Sequence, residues 1–212
     1  YIEEPPVPTR PTISRETMDK ISQAARLINE AKRPLIISGH GVVASGATEE
    51  LRALSETTGI PVITTLLGLS GFPGNHPLNL GMLGMHGMYW SNMAVDQADL
   101  LVGLGMRFDD RVTGKASTFA PHARIIHLDI EASQVGRNVP VEVPLVGDAK
   151  GILTELLPQV NHVERLGWLD KIDRLRQEHP SLDIPVSDSL MPQHVLTNLN
   201  ELLQEGPKSL IV

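Results

Sequence analysis

The sequence predicts an α/β fold: a doubly wound, Rossmann-like parallel sheet of five or six strands with helices on both faces, followed by a helical C-terminal connector. Two observations predict this fold. Short apolar runs alternate along the chain with segments whose apolar residues recur at helical spacing. The runs are apolar at consecutive positions, which is typical of strands buried on both faces of a parallel sheet.

The predicted elements alternate from the first helix onward. Ser14 is a suitable N-cap for that helix, and Gly59 is a suitable C-terminal stop for the second. Segment 66–88 is rich in glycine and methionine and is predicted to be a functional loop, because it has no regular pattern. In chain order we expect helices over 14–30, 48–58, 89–97, 149–157, 163–178 and 193–205, and strands over 34–38, 61–65, 99–104, 124–129 and 143–146.

Composition excludes several classes of function. The formal net charge of -7 and the lack of a basic stripe argue against a nucleic-acid partner, because phosphates require clustered Lys and Arg. No apolar run approaches the roughly 20 residues of a membrane helix. With no cysteine, the chain has no disulfide, thiolate nucleophile or cysteine-based zinc site. We therefore expect a cytoplasmic protein without a nucleic-acid or membrane partner.

Changes of pattern divide the chain into four predicted parts. Residues 1–13 are proline-rich and are predicted to form an extended linker. Residues 14–160 carry the alternating pattern of the main domain. Residues 161–207 hold charged helical segments and are predicted to form a connector. Residues 208–212 begin an apolar strand, which we interpret as the truncated start of a further domain.

A glycine motif directly follows the first predicted strand. Residues Gly39–Ala44 match G-x-G-x-x-A, in which the glycines let the backbone and its N–H groups approach a pyrophosphate. The alternative is that Gly39 and Gly41 only form a tight turn. Simple NAD binding is disfavoured, because the second strand ends in Thr64 and Thr65 where an acidic residue would bind the ribose.

Charged residues are concentrated after the third predicted strand, in segment 105–114. Arg107 and Arg111 suit phosphate oxygens, whereas Asp109 and, beyond the segment, Asp129 suit ribose hydroxyls or an adenine amino group. The alternative is a solvated surface loop with ordinary salt bridges. Position favours a site, because the carboxyl ends of parallel strands share one edge. The five strands end beside Gly39, Thr65, Gly105, Asp129 and Gly147-Asp148.

The segment Leu83–Met88 places thioethers among glycines, which suits a surface lying over a flat ligand. His86 has no partner pattern for a catalytic triad or a metal pair, so we interpret it as structural or as a hydrogen-bond donor. His122 and His127 also lack the spacing of metal ligands.

Three strings, followed by Gly147-Asp148, carry a resemblance to a known family. They are Leu83–Gly87, Gly105–Gly114 and His127–Glu131. In this order and spacing, over most of residues 12–157, the chain resembles the catalytic large subunit of acetohydroxyacid (acetolactate) synthase. The string R-F-D-D-R-V-T-G within the second segment is highly specific among thiamine-diphosphate enzymes.

The resemblance implies the central, FAD-binding domain of a three-domain bacterial subunit. That enzyme condenses two 2-oxo acids with thiamine diphosphate and Mg²⁺ in branched-chain amino acid biosynthesis. The implied partners are the remaining domains of the subunit, a second catalytic subunit and a small regulatory subunit. FAD is expected to be structural, since the reaction transfers no net electrons. The chain alone is expected to be inactive, because the resemblance assigns the thiamine-activating glutamate and the diphosphate-binding site to other domains.

The resemblance also implies the site residues. Met85, His86, Asp110 and Arg111 would flank the active-site entrance. One departure concerns His40, which replaces a frequent third glycine and narrows the approach to the phosphates. The implied FAD-binding positions are Gly39, His40, Gly41, Thr65, Leu66, Leu83, Gly84, Met85, His86, Gly105, Arg107, Asp109, Arg111, Val112, Asp129, Ile130, Gly147, Asp148 and Ala149.

No metal site and no catalytic residue are predicted in this chain. Gly147-Asp148-Ala149 lacks the last glycine of the thiamine-diphosphate G-D-G motif and has no asparagine at the required distance. Two other hypotheses stay open at this point. One is a free-standing module that binds NAD or ADP, and the other is a cofactor-free, structural middle domain of a related enzyme.

Overall fold

The computed structural model describes residues 13–180 and 188–205. Of the predicted linker, only residue 13 is described. The predicted terminal strand, 208–212, lies outside the described residues. The helices are α1 (Arg15–Glu30), α2 (His40–Ala44), α3 (Thr48–Thr58), α4 (Tyr89–Gln97), α5 (Asp110–Thr113), α6 (Ala149–Leu156), α7 (Leu166–Glu178) and α8 (Pro192–Glu205). The strands are β1 (Pro34–Ser38), β2 (Val62–Thr64), β3 (Asn79–Met82), β4 (Leu100–Leu104), β5 (Arg124–Asp129) and β6 (Val143–Val146).

The six strands form one parallel sheet in the order β3-β2-β1-β4-β5-β6. The predicted α/β fold with a parallel sheet is thereby confirmed. The direction of winding reverses between β1 and β4, which pair from Pro34↔Leu100 to Ser38↔Leu104. In open parallel sheets of this order, ligands bind outside the carboxyl ends of the strands at this reversal.

Two buried layers, one on each face of the sheet, form the core. Along β1, Ile36 packs into the layer that also contains apolar residues of α1, α3 and α6. Leu35 and Ile37 face the other layer, with Ala94 of α4 and Trp168 of α7. Every residue of β1 is buried, as its consecutive apolar positions predict.

The interpretation of segment 66–88 as a loop without regular structure is wrong in part. The segment contains a 3-10 helix over Leu66–Gly71 and the strand β3. Only Leu80 is fully buried in β3, which is an edge strand with a single neighbour. An edge strand with one buried side chain lacks the continuous apolar run that identified the other five.

The chain divides into two compact units, and the division follows His179. In the larger unit, α7 packs against α4 and buries Trp168 and Ile172. The smaller unit contains α8, whose Val195, Leu196, Leu199 and Leu202 are exposed. No helix among the described residues is long and apolar enough to cross a membrane.

Candidate functional site

The carboxyl ends of the strands are joined to one another by backbone hydrogen bonds. These bonds extend the sheet by one residue beyond each strand, so the turns that follow lie along a common edge. The N–H groups of Thr65, Gly39, Gly105 and Gly147 donate to the carbonyls of Ser38 (3.0 Å), Leu104 (2.9 Å), Leu128 (2.7 Å) and Asp129 (3.0 Å), respectively.

The glycine motif packs against the turn after β4. A Cβ atom at position 41 would lie 2.6 Å from the Cα atom of Gly105, and one at position 39 would overlap the Gly105 carbonyl oxygen. Gly105 itself has a φ of +57°, which favours glycine. The backbones of the two turns touch, so a side chain at any of these three positions would be strained or would clash.

The expectation that the N–H groups of Gly39 and Gly41 face an anion is wrong. Gly39 donates to the Leu104 carbonyl, and Gly41 donates to the Gly105 carbonyl at 3.0 Å. These backbone donors are used inside the protein because the β1–α2 turn is tied to the end of β4. A phosphate at this edge would therefore depend more on side-chain donors.

A groove of about 650 Å³ runs along the edge and collects most of the predicted residues. A recess of about 160 Å³ adjoins it and shares Gly41, Gly105 and Asp129 with it. The predicted residues lining the groove are His40, Gly41, Thr65, Leu66, Gly105, Arg107, Asp109, Arg111, Val112 and Asp129. The recess adds Ile130, Gly147, Asp148 and Ala149.

The polar side chains of the groove carry both signs of charge. Arg107 Nη2 lies 3.6 Å from Asp109 Oδ2, while the other oxygen of Asp109 is buried without a hydrogen-bond partner among the described residues. Arg111 is exposed and has no ion-pair partner within 13–180 or 188–205. Asp129 and Glu131 add two further carboxylates. Such a groove offers donors to phosphates and acceptors to hydroxyl groups.

Exposed apolar side chains lie beside these charges. Leu66 and Leu67 line the groove with 67% and 71% of their surface exposed, and Ile130 lines the recess with 75% exposed. His40 Nδ1 lies 3.3 Å from the Leu67 carbonyl, to which it can donate, and this contact joins α2 to the 3-10 helix. The groove thus combines charged groups with an apolar rim suited to a flat ring system.

The Leu83–His86 segment meets the groove through Arg111. Gly84, with a φ of +96°, packs against the Arg111 carbonyl oxygen, which also accepts the Met85 N–H at 3.2 Å. The Asn92 side chain fixes the turn by accepting from the Gly84 N–H and donating to its carbonyl. Met85 and Arg111 are therefore neighbours.

Some predicted residues do not line the groove or its recess. Gly39, Gly84, Met85, His86 and Asp110 are outside the lining; of these, Met85, His86 and Asp110 are exposed. Leu83 belongs to the buried core and lines a separate cavity of about 190 Å³.

Two residues of the 147–149 motif have structural roles as well. Asp148 is the N-cap of α6, and its carboxylate accepts the Gly151 N–H at 2.9 Å. Ala149 is buried in the core against the helical layer. Their position beside the recess does not require a ligand-binding role.

Five residues that line the groove were not predicted as site residues from the sequence: Leu67, Met106, Phe108, Glu131 and Gln134. Phe108 is buried with a φ of +48°, which costs a non-glycine residue roughly 1–3 kcal/mol. Its ring lies over β4, where a Cβ atom on Gly103 would be 2.7 Å from it. The glycine inside an otherwise aliphatic strand is a sequence signal for this close approach.

Residues 21–156 match the protein family described as the central domain of thiamine pyrophosphate enzymes. The chain is 43% identical over 200 residues to the acetolactate synthase large subunit of Mycobacterium tuberculosis, covering 91% of this chain and 32% of that protein. It is also 43% identical over 217 residues to a probable acetolactate synthase large subunit of Methanocaldococcus jannaschii, covering 96% and 36%. Acetolactate synthase 1, chloroplastic, of Zea mays is 43% identical over 188 residues, covering 86% and 29%. The chain thus spans about a third of the length of these relatives.

Proposed function

Because the chain belongs to the family of thiamine pyrophosphate enzyme central domains, we propose that it is the central domain of an acetolactate synthase and binds FAD along the carboxyl edge of its sheet. The observation that carries the proposal is the groove of about 650 Å³ at the winding reversal, lined by Arg107, Arg111 and three carboxylates. A dinucleotide presents both phosphates and ribose hydroxyls, and this lining has partners for both.

The groove residues fit FAD on two further counts. The buried Oδ1 of Asp109 is an acceptor without a partner among the described residues, and a ribose hydroxyl would satisfy it. Leu66 and Leu67 present apolar surface that an isoalloxazine ring would cover. In this proposal the guanidinium groups bind the pyrophosphate, and Asp129 accepts from the nucleoside.

FAD has a structural role in this proposal. Condensation of two 2-oxo acids transfers no net electrons, so the chemistry is supplied by thiamine diphosphate with Mg²⁺ in other domains of the enzyme. Met85, His86, Asp110 and Arg111 flank the entrance to that active site. A second catalytic subunit, a small regulatory subunit and a location in the bacterial cytoplasm belong to the same proposal.

One observation favours a second candidate, a cofactor-free middle domain. The N–H groups of Gly39, Gly41 and Gly105 already donate to backbone carbonyls, so the glycine motif is explained without a ligand. The two candidates differ in what they require of Arg111. A phosphate site at the groove depends on the Arg111 guanidinium, whereas a cofactor-free domain does not.

A titration with FAD tests the proposal. Binding is followed by flavin fluorescence for the 212-residue chain and for Arg111→Ala, with NAD as a comparison ligand and Arg174→Ala, an exposed arginine on α7, as the matched control. We expect Arg111→Ala to weaken FAD binding about tenfold or more, since a charged hydrogen bond contributes roughly 1.5–3 kcal/mol, and Arg174→Ala to have no effect. Equal affinities of all three proteins would contradict the assignment of Arg111. Absence of FAD binding would favour the cofactor-free domain, and preferential NAD binding would favour a different nucleotide site.

A further inference from the structure

His127 lies within β5, directly beneath the turn that carries Arg107 and Asp109. Its side chain is buried, and its Nε2 is 2.7 Å from the Met106 carbonyl oxygen. The Phe108 ring packs edge-on against the imidazole, with ring centres 4.9 Å apart and planes at 89°. The histidine therefore contacts both residues that enclose Arg107 in the sequence.

The partners of the ring nitrogens define its protonation state. The Met106 carbonyl can only accept, so Nε2 carries the proton and donates. The Gly136 N–H points to Nδ1 at 3.4 Å, so Nδ1 acts as an acceptor. Burial lowers the pKa of His127, and the hydrogen bond to the Met106 carbonyl and the nearby charge of Asp129 oppose this effect only in part. The neutral tautomer thus has a hydrogen-bond partner on each nitrogen.

Other contacts fix the same turn from different sides. The Phe108 ring occupies the space above Gly103 and also packs edge-on with Phe119, at 6.0 Å between ring centres. Asn138 Nδ2 donates to the Arg107 carbonyl at 3.0 Å. Two consecutive carbonyls, those of Met106 and Arg107, are thus bound by side chains from β5 and the segment that follows it.

We infer that His127 is a positioning residue: it fixes the 105–109 turn so that Arg107 and Asp109 stand on the groove side of the buried Phe108 ring. The inference rests on the proposed function for its consequence, because a displaced turn would move one arginine and the unpaired Asp109 oxygen away from the dinucleotide. His127 does not line the groove and so acts only through the turn.

Amide hydrogen exchange of the ligand-free, 212-residue chain tests the fixing of the turn. The variants are His127→Leu, which removes both hydrogen bonds, His127→Gln, which retains a donor, and Asn138→Ala, a milder change at an exposed position. Ile126→Val, on the opposite face of β5, is the control for a general loss of packing. We expect peptides covering 105–113 to exchange about tenfold faster in His127→Leu, less so in His127→Gln and Asn138→Ala, and as in wild type in Ile126→Val. Unchanged exchange in this turn in all three test variants would overturn the inference.

A double-mutant cycle on FAD affinity tests the consequence for the site. If His127 acts through the turn, His127→Gln weakens FAD binding in the wild-type background but has little further effect when Arg107 and Asp109 are both already alanine. Additive effects would show that His127 acts elsewhere and would overturn the positioning role. If neither wild type nor any variant binds FAD, the proposed function fails, while the exchange result still decides whether His127 fixes the turn.

Discussion

Arg165 introduces a charged group into the interior of the larger unit, where only 6% of its surface is exposed. Its guanidinium donates to the carbonyls of Ile28 (2.8 Å), Ala31 (3.0 Å), Thr58 (2.6 Å) and Val163 (3.1 Å). Three of these carbonyls lie at the C-terminal ends of α1 and α3, where unsatisfied oxygens and the helix dipoles favour a cation. Burial lowers the pKa of Arg165, and the charge of Asp99 opposes the shift.

Replacement of Arg165 by methionine is predicted to destabilise the fold strongly. Arg165→Met retains much of the side-chain volume but leaves several buried carbonyls without donors, so we expect the free energy of unfolding to fall by about 3 kcal/mol or more. Urea denaturation measures the change. Arg174→Met, at an exposed position of α7, is the control and should stay within about 0.5 kcal/mol of wild type. Equal effects of the two variants would contradict this role.

The buried His127 predicts a pH dependence of stability. Because its folded-state pKa is lowered below the ordinary value of 6.5, the unfolded chain binds the proton more readily. Its contribution to stability is therefore fully present above pH 6.5 and is lost as the pH falls from 6.5 through the folded-state pKa. Urea midpoints at pH 7.5 and pH 5.5 should differ more for wild type than for His127→Gln. If the urea midpoint shifts equally with pH in wild type and in His127→Gln, His127 does not titrate between these two pH values.

Among the helices and strands, those with a sequence pattern that extends along the whole segment could be predicted. The five strands recognised from the sequence have consecutive apolar residues, and α1 begins after Ser14, whose Oγ accepts the Thr17 N–H at 3.1 Å. Strand β3 was not recognised because it is an edge strand with one buried residue and so lacks a continuous apolar run. Helix α2 was not predicted, because it is only five residues long and lies within the glycine motif.

Helix α7 has a mostly charged sequence but buries two apolar side chains on one face. Its charged residues predict a connector, but Trp168 and Ile172, four residues apart, face the same core layer. Trp168 also donates from Nε1 to the Pro34 carbonyl at 3.1 Å, which ties α7 to the start of β1. The sequence contains these apolar positions, but it does not indicate the core layer against which they pack.

Because Trp168 attaches α7 to the core, we predict that its replacement strongly lowers the stability of the fold. Trp168→Ala removes a side chain that is only 3% exposed, so we expect a loss of about 3–5 kcal/mol in the free energy of unfolding. Leu166→Ala, at a position in the same helix that is 64% exposed, should change stability by no more than about 0.5 kcal/mol. Thermal or urea unfolding measures the change in stability of both variants. A small effect of both substitutions would mean that α7 is only loosely attached, as a connector would be.

At the scale of the whole molecule, topology explains why residues so far apart in sequence were predictable as one site. Parallel strands bring their carboxyl ends to one edge, so Gly41, Arg107 and Asp129 meet in a single groove. The sequence could not predict that the glycine N–H groups are used internally, or that Phe108 and His127 pack beneath the arginine turn. Those features depend on side-chain and backbone contacts between separate strands, which periodicity does not encode.

If FAD binds along this edge of the sheet, as proposed, it should leave a footprint in amide hydrogen exchange. Exchange is compared for the 212-residue chain alone and with saturating FAD. We expect slower exchange with FAD at residues 40–44, 65–67, 105–113 and 129–131, and unchanged exchange in α1 and α7. Protection confined to other segments, or no protection at any residue, would contradict it.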